Sequence, residues 1–177
     1  MIDADRMRRI LVIGSPGAGK STLADELGRH LGLPVIHLDR HYWRPGWIEP
    51  DPGAWQVEAG ALCAAPAWVM DGNYGGTLPV RLQRADTVIW LDFPPWRCVW
   101  RILARWRRWR GRVRPDMREG CPEQMSWEFL SYTARFPWNG RRRLESALLG
   151  WPGTPIRLRT PGQVRACLAG LEEGGSR

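Results

Sequence analysis

One short stretch near the start of the chain constrains the fold more than any other. Residues 14–21 match the pattern G-x-x-x-x-G-K-[ST], after a mostly apolar, β-branched run at 9–13 and before apolar residues at helical spacing in 21–31. A strand, a glycine-rich turn and a helix in this order direct backbone N–H groups and the positive end of a helix at a phosphate. The sequence therefore predicts a nucleoside triphosphate site. Its residues are Gly14, Ser15, Pro16, Gly17, Ala18, Gly19, Lys20, Ser21 and Thr22.

Lys20 is the only lysine in the chain, since all the other residues among the 26 Lys and Arg are arginine. It lies at the position of the pattern where a compact ammonium must reach between two phosphates, and a planar guanidinium is no substitute there. The alternative, a glycine-rich turn that only joins two structural elements, gives no reason for a lysine at this position. We expect Lys20 to be catalytic and Ser21 to bind magnesium through its hydroxyl.

The net charge of +8 is concentrated in one segment of the chain. Positions 97–118 hold nine arginines and one acid, and the remaining residues are neutral in sum. A concentrated charge indicates an anion site rather than a diffuse nucleic-acid-binding surface. No apolar run approaches the ~18 residues of a membrane span. The four cysteines form no close pair, which argues against a disulfide framework and a zinc site and favours the reducing cytoplasm.

Predicted strands alternate with predicted helices along the chain. The strands lie near 9–13, 34–38, 67–70, 87–91 and 155–158, and the helices near 19–31, 53–64, 77–83, 95–110, 123–135, 139–149 and after 160. This alternation implies right-handed βαβ units and a parallel sheet covered on both faces. Ligands of such sheets gather at the carboxyl ends of the strands. Asp39 and Asp71 both follow a predicted strand, so we expect them at the same edge as the phosphate loop.

The two aspartates have different expected roles. Asp71 is the carboxylate expected near the metal, acting through water, and its alternative is a turn residue before Gly72. Asp39 is expected to accept a proton from an acceptor hydroxyl or to position the acceptor. Its alternative is a cap for the turn that follows it.

The segment after position 95 predicts an amphipathic helix. At about 100° per residue, five arginines share one side and apolar residues share the opposite side. They are Arg97, Arg101, Arg105, Arg108 and Arg112, opposite Trp96, Val99, Trp100, Leu103 and Trp106. The arginines have no acidic partner one turn away, so we expect them to close over the transferred phosphate while the apolar side packs in the core. The alternatives are a solvated basic face and contact with a nucleic-acid backbone.

Residues 39–47, which we call the aromatic loop, are rich in aromatic residues, proline and glycine. Their place beside the strand ends predicts an acceptor pocket able to hold a planar ring. The residues expected to line it include Tyr42, Trp43 and Trp47. Most of the twelve tryptophans are expected in the core. The three histidines show no metal-ligand spacing and are expected to be structural or surface residues; they are His30, His37 and His41.

Several further motifs carry a family resemblance. They are Leu38-Asp39, Tyr42-Trp43-x-Pro45-Gly46-Trp47, Asp71-Gly72-Asn73-Tyr74, Leu91-Asp92-Phe93-Pro94 and Arg114-Pro115-Asp116-Met117-x-Glu119-Gly120-Cys121-Pro122-Glu123. With these motifs the chain resembles the adenylate-kinase-like P-loop family, specifically its bacterial group labelled DNA topology modulation proteins, over roughly residues 9–160. Asp71 and Gly72 match the adenylate-kinase motif after the third strand, whereas Asn73 and Tyr74 depart from it.

The resemblance implies a three-layer α/β/α fold with a five-stranded parallel sheet of order 2-3-1-4-5. It implies ATP and magnesium as cofactors and one P-loop kinase-like domain over 1–177. Within that domain, residues 97–122 (the arginine segment) would be a mobile, arginine-rich helical lid. Arg101 and Arg105 match the two arginines, four apart, at the start of the adenylate-kinase lid.

Two functions of different classes follow. The first is a kinase that transfers the γ-phosphate of ATP to a small, nucleotide-like or nucleoside-like acceptor. Its expected catalytic residues are Lys20, Asp39, Arg101 and Arg105, its metal ligands are Ser21 and Asp71, and its acceptor-binding residues are Asp39, Tyr42, Trp43, Trp47, Asn73, Tyr74 and Arg81. The second is a nucleic-acid-associated, ATP-binding regulator whose arginines contact the phosphate backbone. The location of the charge favours the first.

Overall fold

Five parallel strands form one sheet in the computed structural model, which describes residues 7–174. Across the sheet they are β2 (Val35–His37), β3 (Trp68–Asp71), β1 (Arg9–Gly14), β4 (Thr87–Leu91) and β5 (Ile156–Leu158). The predicted strand order 2-3-1-4-5 is confirmed. Positions 1–6 and 175–177 of the predicted domain lie outside the described residues.

Eight helices connect the strands within residues 7–174. They are α1 (Lys20–Leu31), α2 (Leu38–Tyr42), α3 (Pro52–Cys63), α4 (Leu78–Arg84), α5 (Pro95–Trp109), α6 (Trp127–Arg135), α7 (Gly140–Leu148) and α8 (Pro161–Gly174). Most agree with the predicted helices to within a few residues. The exception is α2, which forms where the sequence predicted the start of a loop. Asp39 lies in its first turn, where a carboxylate interacts favourably with the helix dipole.

The side chains of β1 alternate between two separate cores. Ile10 and Val12 pack with residues of α1 and α8, whereas Leu11 and Ile13 pack with residues of α3, α4 and α7. Helices therefore cover both faces of the sheet, and the predicted three-layer fold class is confirmed. Because both faces are buried, the strands contain nearly continuous apolar runs. No helix of residues 7–174 has the length and apolar character needed to cross a lipid bilayer.

The orientation of α5 differs from the sequence expectation. Trp96 and Trp100 are 70% and 69% exposed, whereas Cys98 and Ile102 are buried. At about 100° per residue, Cys98 and Ile102 border the arginine side of the helix. The side that carries the arginines is therefore turned towards the phosphate loop. The prediction that the tryptophan side packs in the core was wrong.

The tryptophans as a whole are less buried than the sequence suggested. Only four of the twelve are buried, and four others are exposed. The buried ones are Trp55, Trp68, Trp90 and Trp151, and the exposed ones are Trp96, Trp100, Trp127 and Trp138. The expectation that most tryptophans lie in the core was therefore wrong, because aromatic content does not show which face of a helix is covered.

Candidate active site

The loop between β1 and α1 is shaped to surround an anion. Gly14, Gly17 and Gly19 have φ angles of 140°, 74° and 97°, which favour glycine. A Cβ on Gly14 would lie 2.2 Å from the carbonyl oxygen of Leu91, so a larger residue does not fit there. The helix α1 begins at Lys20, directly after the loop, and its free N–H groups and positive dipole end point into the loop.

Lys20 is held against the same loop. Its Nζ donates hydrogen bonds to the carbonyl oxygens of Gly14 and Ser15, both at 3.1 Å. Loss of hydration lowers the pKa of Lys20 from its usual value, while the charges of Asp71 and Asp39 act in the opposite direction. The ammonium therefore lies where phosphate oxygens would replace its carbonyl partners.

Ser21 and Asp71 form a pair beside the loop. The Ser21 hydroxyl donates to Oδ2 of Asp71 at 2.7 Å, and Asp71 is the buried last residue of β3. A hydroxyl and a carboxylate are the hard oxygen donors that Mg²⁺ prefers. In the chain from 7 to 174 no group of three or more His, Cys, Asp or Glu is arranged to hold a metal ion. The donor set fits an ion held jointly by Ser21, Asp71 and nucleotide phosphates, the usual arrangement for Mg²⁺.

Asp71 has a second partner, which sequence reasoning missed. His37, the last residue of β2, is the register neighbour of Asp71, and its Nδ1 lies 2.7 Å from Oδ1 of Asp71. Its Nε2 lies 3.1 Å from Oδ1 of Asp25. Burial alone would lower the pKa of His37, but the hydrogen bond and charge of Asp71, together with Asp25, raise it above the usual value. The signal available in the sequence was a histidine and an aspartate that end neighbouring strands.

Asn73 and Arg81 were expected to contact the acceptor, but both bind the backbone instead. The side-chain amide of Asn73 accepts from the Gly14 N–H at 3.0 Å and donates to the Gly14 carbonyl at 2.8 Å. Arg81 is 0% exposed, and its guanidinium donates to the carbonyls of residues 72–74. Burial lowers the pKa of Arg81 to about 10. These two expectations are corrected: the polar groups of both side chains fix the turn after β3 and the phosphate loop.

Asp39 lies on the same edge of the sheet, half-buried in the first turn of α2. The Tyr74 hydroxyl donates to Oδ1 of Asp39 at 2.5 Å. Burial raises the pKa of the Asp39 carboxyl, and the Tyr74 hydrogen bond opposes that rise; the charge of Asp71 raises the pKa and that of Lys20 lowers it. Asp39 therefore shares an electrostatic environment with Lys20 and Asp71, as its predicted role requires.

The aromatic residues near Asp39 contact one another. The rings of Tyr42 and Tyr74 have centroids 4.5 Å apart, and Trp55 of α3 meets both edge-on. Trp43 and Trp47 pack together with centroids 5.3 Å apart. Tyr74 has a positive φ of 33°, a conformation uncommon for residues other than glycine and frequent at functional sites. Sequence reasoning missed Trp55, which belongs to a helix rather than to the aromatic loop.

Arg101 lies directly over the phosphate loop. Its guanidinium donates to the carbonyl of Ala18 at 3.2 Å, and it would lie 2.8 Å from a Cβ placed on Gly19. The structure thus brings Arg101 to the loop, and its role at the transferred phosphate stays a prediction.

Arg105 has an acidic partner that helical spacing could not show. Its Nε donates to Oε1 of Glu123 at 3.0 Å, and Glu123 is buried. Arg114 approaches the other oxygen of Glu123 at 2.6 Å and also donates to Asp116 at 2.6 Å. Glu123, which lies beyond the end of α5, therefore partly neutralises the arginine row, although no acid on α5 lies one helical turn from these arginines, as the sequence indicated.

The aromatic loop and the arginine segment are bonded to each other. The Gly46 N–H donates to the Gly120 carbonyl at 2.8 Å, and Nε1 of Trp47 donates to the Pro122 carbonyl at 3.0 Å. The Cys121 thiol adds a contact to the Arg44 carbonyl at 3.2 Å. Trp47 was expected at the acceptor, but its indole N–H thus binds the arginine segment.

A cavity of about 240 Å³ adjoins the phosphate loop between α1, α5 and α8. Its lining includes Gly19, Thr22, Arg101, Pro161 and Arg165. The last two lie just after β5, at the same sheet edge as the other site residues, and were not predicted.

Comparison with known proteins gives structural relatives only. No family model and no curated protein matches the chain. Among solved structures, it is similar to shikimate kinase from Acinetobacter baumannii in complex with shikimate, with a TM-score of 0.58 and 17% identity over 93% of this chain and 90% of that one. The chain has the fold of the P-loop kinases. At this identity the similarity shows the fold and does not identify an acceptor.

Two further solved structures have the same fold. Deoxyadenosine kinase from M. mycoides matches with a TM-score of 0.53 and 13% identity, over 93% of this chain and 98% of that one. A gluconokinase from Sinorhizobium meliloti 1021 matches with a TM-score of 0.53 and 17% identity, over 95% and 93%. The comparisons do not show the DNA topology modulation group, and that assignment stays a prediction from the sequence.

Proposed function

We propose that this protein is an ATP-dependent phosphotransferase that transfers the γ-phosphate of ATP to a hydroxyl of a small acceptor. The observation that carries the proposal is that Asp39, a carboxylate with a raised pKa, shares the sheet edge with Lys20 and the Ser21–Asp71 pair. A phosphate loop alone would serve any use of a nucleotide. The additional carboxylate supplies a proton acceptor for the attacking hydroxyl. The kinase fold adds general support.

The chain's own groups account for triphosphate binding in this proposal. The N–H groups of the loop and α1 bind the phosphates, and Lys20 exchanges its two carbonyl partners for phosphate oxygens. Magnesium, when bound at Ser21 and Asp71, offsets the negative charge of the phosphates. Arg101 donates to charge that develops on the transferred group, because it lies over the loop at Gly19.

Asp39 and Tyr74 act on the acceptor. Tyr74 donates to one carboxylate oxygen of Asp39, which leaves the other free to accept the proton of the acceptor hydroxyl. The hydroxyl oxygen forms a bond to the γ-phosphorus, and the bond between that phosphorus and the oxygen of ADP breaks. The base must be within hydrogen-bond reach of the hydroxyl, so the acceptor binds beside Tyr74 and the aromatic loop.

The charges on the acceptor side favour a neutral acceptor. Arg44 is paired with Glu58 at 2.9 Å, and Arg114 with Asp116 and Glu123. The helix α3, which contributes Trp55 beside Tyr74, contains no basic residue. Among the described residues of this region, Arg44 and Arg114 are therefore paired with acids, and Arg44 also donates to the His41 carbonyl. Arg40, also in the aromatic loop, donates to the Pro115 carbonyl. A phosphate or carboxylate on the acceptor would have to displace one of these acids or that carbonyl, whereas a nucleoside or a sugar would not.

The nucleoside part of ATP fits the cavity next to Gly19. Its volume of about 240 Å³ and its mixed lining, which includes Thr22 and Pro161, suit a planar base and a ribose. Arg101 lies between this cavity and the phosphate loop, so one side chain would contact both parts of the nucleotide.

A transfer assay with matched acceptors tests the proposal. Labelled ATP is offered with nucleosides and their monophosphates, and with sugars and their acids. We expect label on neutral members of the pairs. Asp39→Asn should reduce transfer more than slow ATP hydrolysis by water, whereas Lys20→Met should abolish both. A protein that binds ATP but labels no acceptor would contradict the kinase function, and label on the charged members alone would contradict only the neutral acceptor.

The nucleic-acid alternative has one supporting feature, the exposed Trp96 and Trp100 in the first half of the arginine-rich helix α5. The arginines it requires, however, include Arg101 and Arg105, which contact the phosphate loop and Glu123. The alternative predicts DNA binding that falls steeply with salt and is unaffected by ATP. Binding with both properties would favour it over the kinase.

A further inference from the structure

The strongest unassigned feature is a chain of hydrogen bonds that links α1, β2 and β3. It runs from Ser21 to Asp71 at 2.7 Å, from Asp71 to His37 at 2.7 Å, and from His37 to Asp25 at 3.1 Å. Ser21 and Asp25 are one helical turn apart on α1, so they lie on the same side of that helix. This series of hydrogen bonds therefore starts and ends on α1 and encloses the carboxylate of Asp71.

Both oxygens of Asp71 are fixed by this arrangement. Oδ2 accepts from the Ser21 hydroxyl, and Oδ1 faces Nδ1 of His37. An ionised carboxylate can only accept hydrogen bonds, and both ring nitrogens of His37 face a carboxylate oxygen. An ionised Asp71 carboxylate therefore accepts from Nδ1 of His37, and Nε2 on the other side of the ring faces Asp25. The histidine ring cannot rotate without breaking one of these bonds.

We propose that His37 is a positioning residue for the metal site: it holds Oδ1 of Asp71 so that Oδ2 stays beside the Ser21 hydroxyl, where the magnesium of the nucleotide complex binds. Asp25 fixes the orientation of the His37 ring from the other side. Partners of this kind set the direction of a ligand's lone pairs, and their removal typically lowers metal affinity about 10–100-fold. The inference rests on the proposed function only in that Asp71 lies at the metal.

A purely structural role predicts a different outcome from this one. A buried histidine that only stabilises the sheet would, when replaced, lower the melting temperature and weaken nucleotide binding with and without metal alike. A positioning residue would selectively weaken metal binding to the protein–nucleotide complex. Nucleotide affinity in EDTA would be retained, because the glycine loop and Lys20 do not contact His37 in the observed hydrogen bonds.

The test measures Mn²⁺ binding to the protein saturated with ADP, by electron paramagnetic resonance, without any acceptor. We expect His37→Leu to weaken Mn²⁺ binding about 10–100-fold. His37→Asn should retain most of the affinity, because its amide nitrogen can replace Nδ1 as the donor to Asp71. Asp25→Ala should cause a smaller loss in the same direction. His41→Leu, a histidine replacement on α2 where the partner is Glu58, serves as the matched control and should leave Mn²⁺ affinity unchanged.

Three outcomes would overturn the inference. They are wild-type Mn²⁺ affinity in a folded His37→Leu protein, equal losses in His37→Leu and His37→Asn, and a loss of ADP affinity in EDTA that matches the loss of Mn²⁺ affinity. If His37→Leu does not fold, Asp25→Ala decides, and wild-type Mn²⁺ affinity in that variant overturns the inference. Because no acceptor is present, failure of phosphate transfer is measured separately and does not affect this result.

Discussion

Among single residues, Lys20 allows the most direct test, because the chain contains no other lysine. We expect Lys20→Arg to reduce turnover at least about 10²-fold, the effect of losing one well-placed donor, because the guanidinium fork is too wide for the loop. Phosphate-release and transfer assays measure the change. Circular dichroism should show an unchanged fold. An active Lys20→Arg protein would contradict the role that we assign to the ammonium.

Chemical labelling of Lys20 checks the same contact in the unmodified protein. Desolvation lowers the pKa of this amine, so a larger fraction is deprotonated and reactive at a given pH. ATP with magnesium should slow its acylation, because phosphate oxygens then bind Nζ. Peptide mass spectrometry measures the rate, with acylation of the amino terminus as the internal control. Equal rates with and without nucleotide would show that Nζ does not contact the phosphates.

Tyr74 sets the pH at which Asp39 can act as a base. Burial raises the pKa of Asp39, and the Tyr74 hydrogen bond opposes that rise. Removal of the hydroxyl in Tyr74→Phe should raise the pKa further, so the acidic limb of the pH–rate profile for transfer should move to higher pH. The same raised pKa means that any stability Asp39 contributes is present at low pH and lost as pH rises through its folded-state pKa. An unmoved acidic limb would show that Asp39 is not the titrating base.

The sequence predicted the loop residues at the site better than the side chains around them. The loop pattern predicts the places of Lys20 and Ser21 because the glycines of the loop and the start of α1 are adjacent in the sequence. His37 and Arg81 acquire their partners only across strands and turns, from Asp71 and from carbonyls of residues 72–74. Local spacing does not report such contacts. Strand register could have indicated the contact between His37 and Asp71, since β2 and β3 end side by side.

At the level of secondary structure, α5 shows what helical periodicity does and does not determine. The spacing correctly separated an arginine side from a tryptophan side. It did not show which side is covered, because the arginine side packs against the phosphate loop and Glu123, which lie elsewhere in the chain. The usual assumption that the apolar side of a helix is buried fails here. The parallel sheet, in contrast, was predictable from the alternation of strands and helices, and its strand order was expected from the family resemblance.

The corrected orientation of α5 predicts the effect of two substitutions. Trp100 is exposed, so Trp100→Gln should change the free energy of unfolding by no more than about 0.5 kcal/mol. Ile102 is 3% exposed, so Ile102→Ala should cost about 2–5 kcal/mol through lost burial and a cavity. Urea unfolding measures both. A larger loss of unfolding free energy in Trp100→Gln than in Ile102→Ala would contradict the observed orientation of α5 and support the one expected from the sequence.

For the molecule as a whole, the bonds between the aromatic loop and the arginine segment imply that the two sides of the site move together. The Gly46–Gly120 and Trp47–Pro122 hydrogen bonds connect the aromatic loop to the part of the arginine segment that follows α5. Nucleotide bound under Arg101 should therefore order the aromatic loop as well as the arginine segment. The domain boundaries 1–177 and the mobility of the arginine segment stay predictions from the sequence.

Limited trypsin digestion measures this coupling, since the arginine segment offers eight cleavage sites between 97 and 118, where only Arg114 precedes a proline and resists trypsin. ATP with magnesium should slow cleavage there and at Arg40 in the aromatic loop. Trp47→Phe removes the N–H that binds the Pro122 carbonyl, so nucleotide should still protect the arginine segment but protect the aromatic loop less. Trp43→Phe is the matched control, because Trp43 packs on Trp47 without that bond. Equal protection of the aromatic loop in both variants would show that the Trp47 bond does not couple the two sides. Protection by DNA rather than by nucleotide would instead assign the segment to nucleic-acid binding.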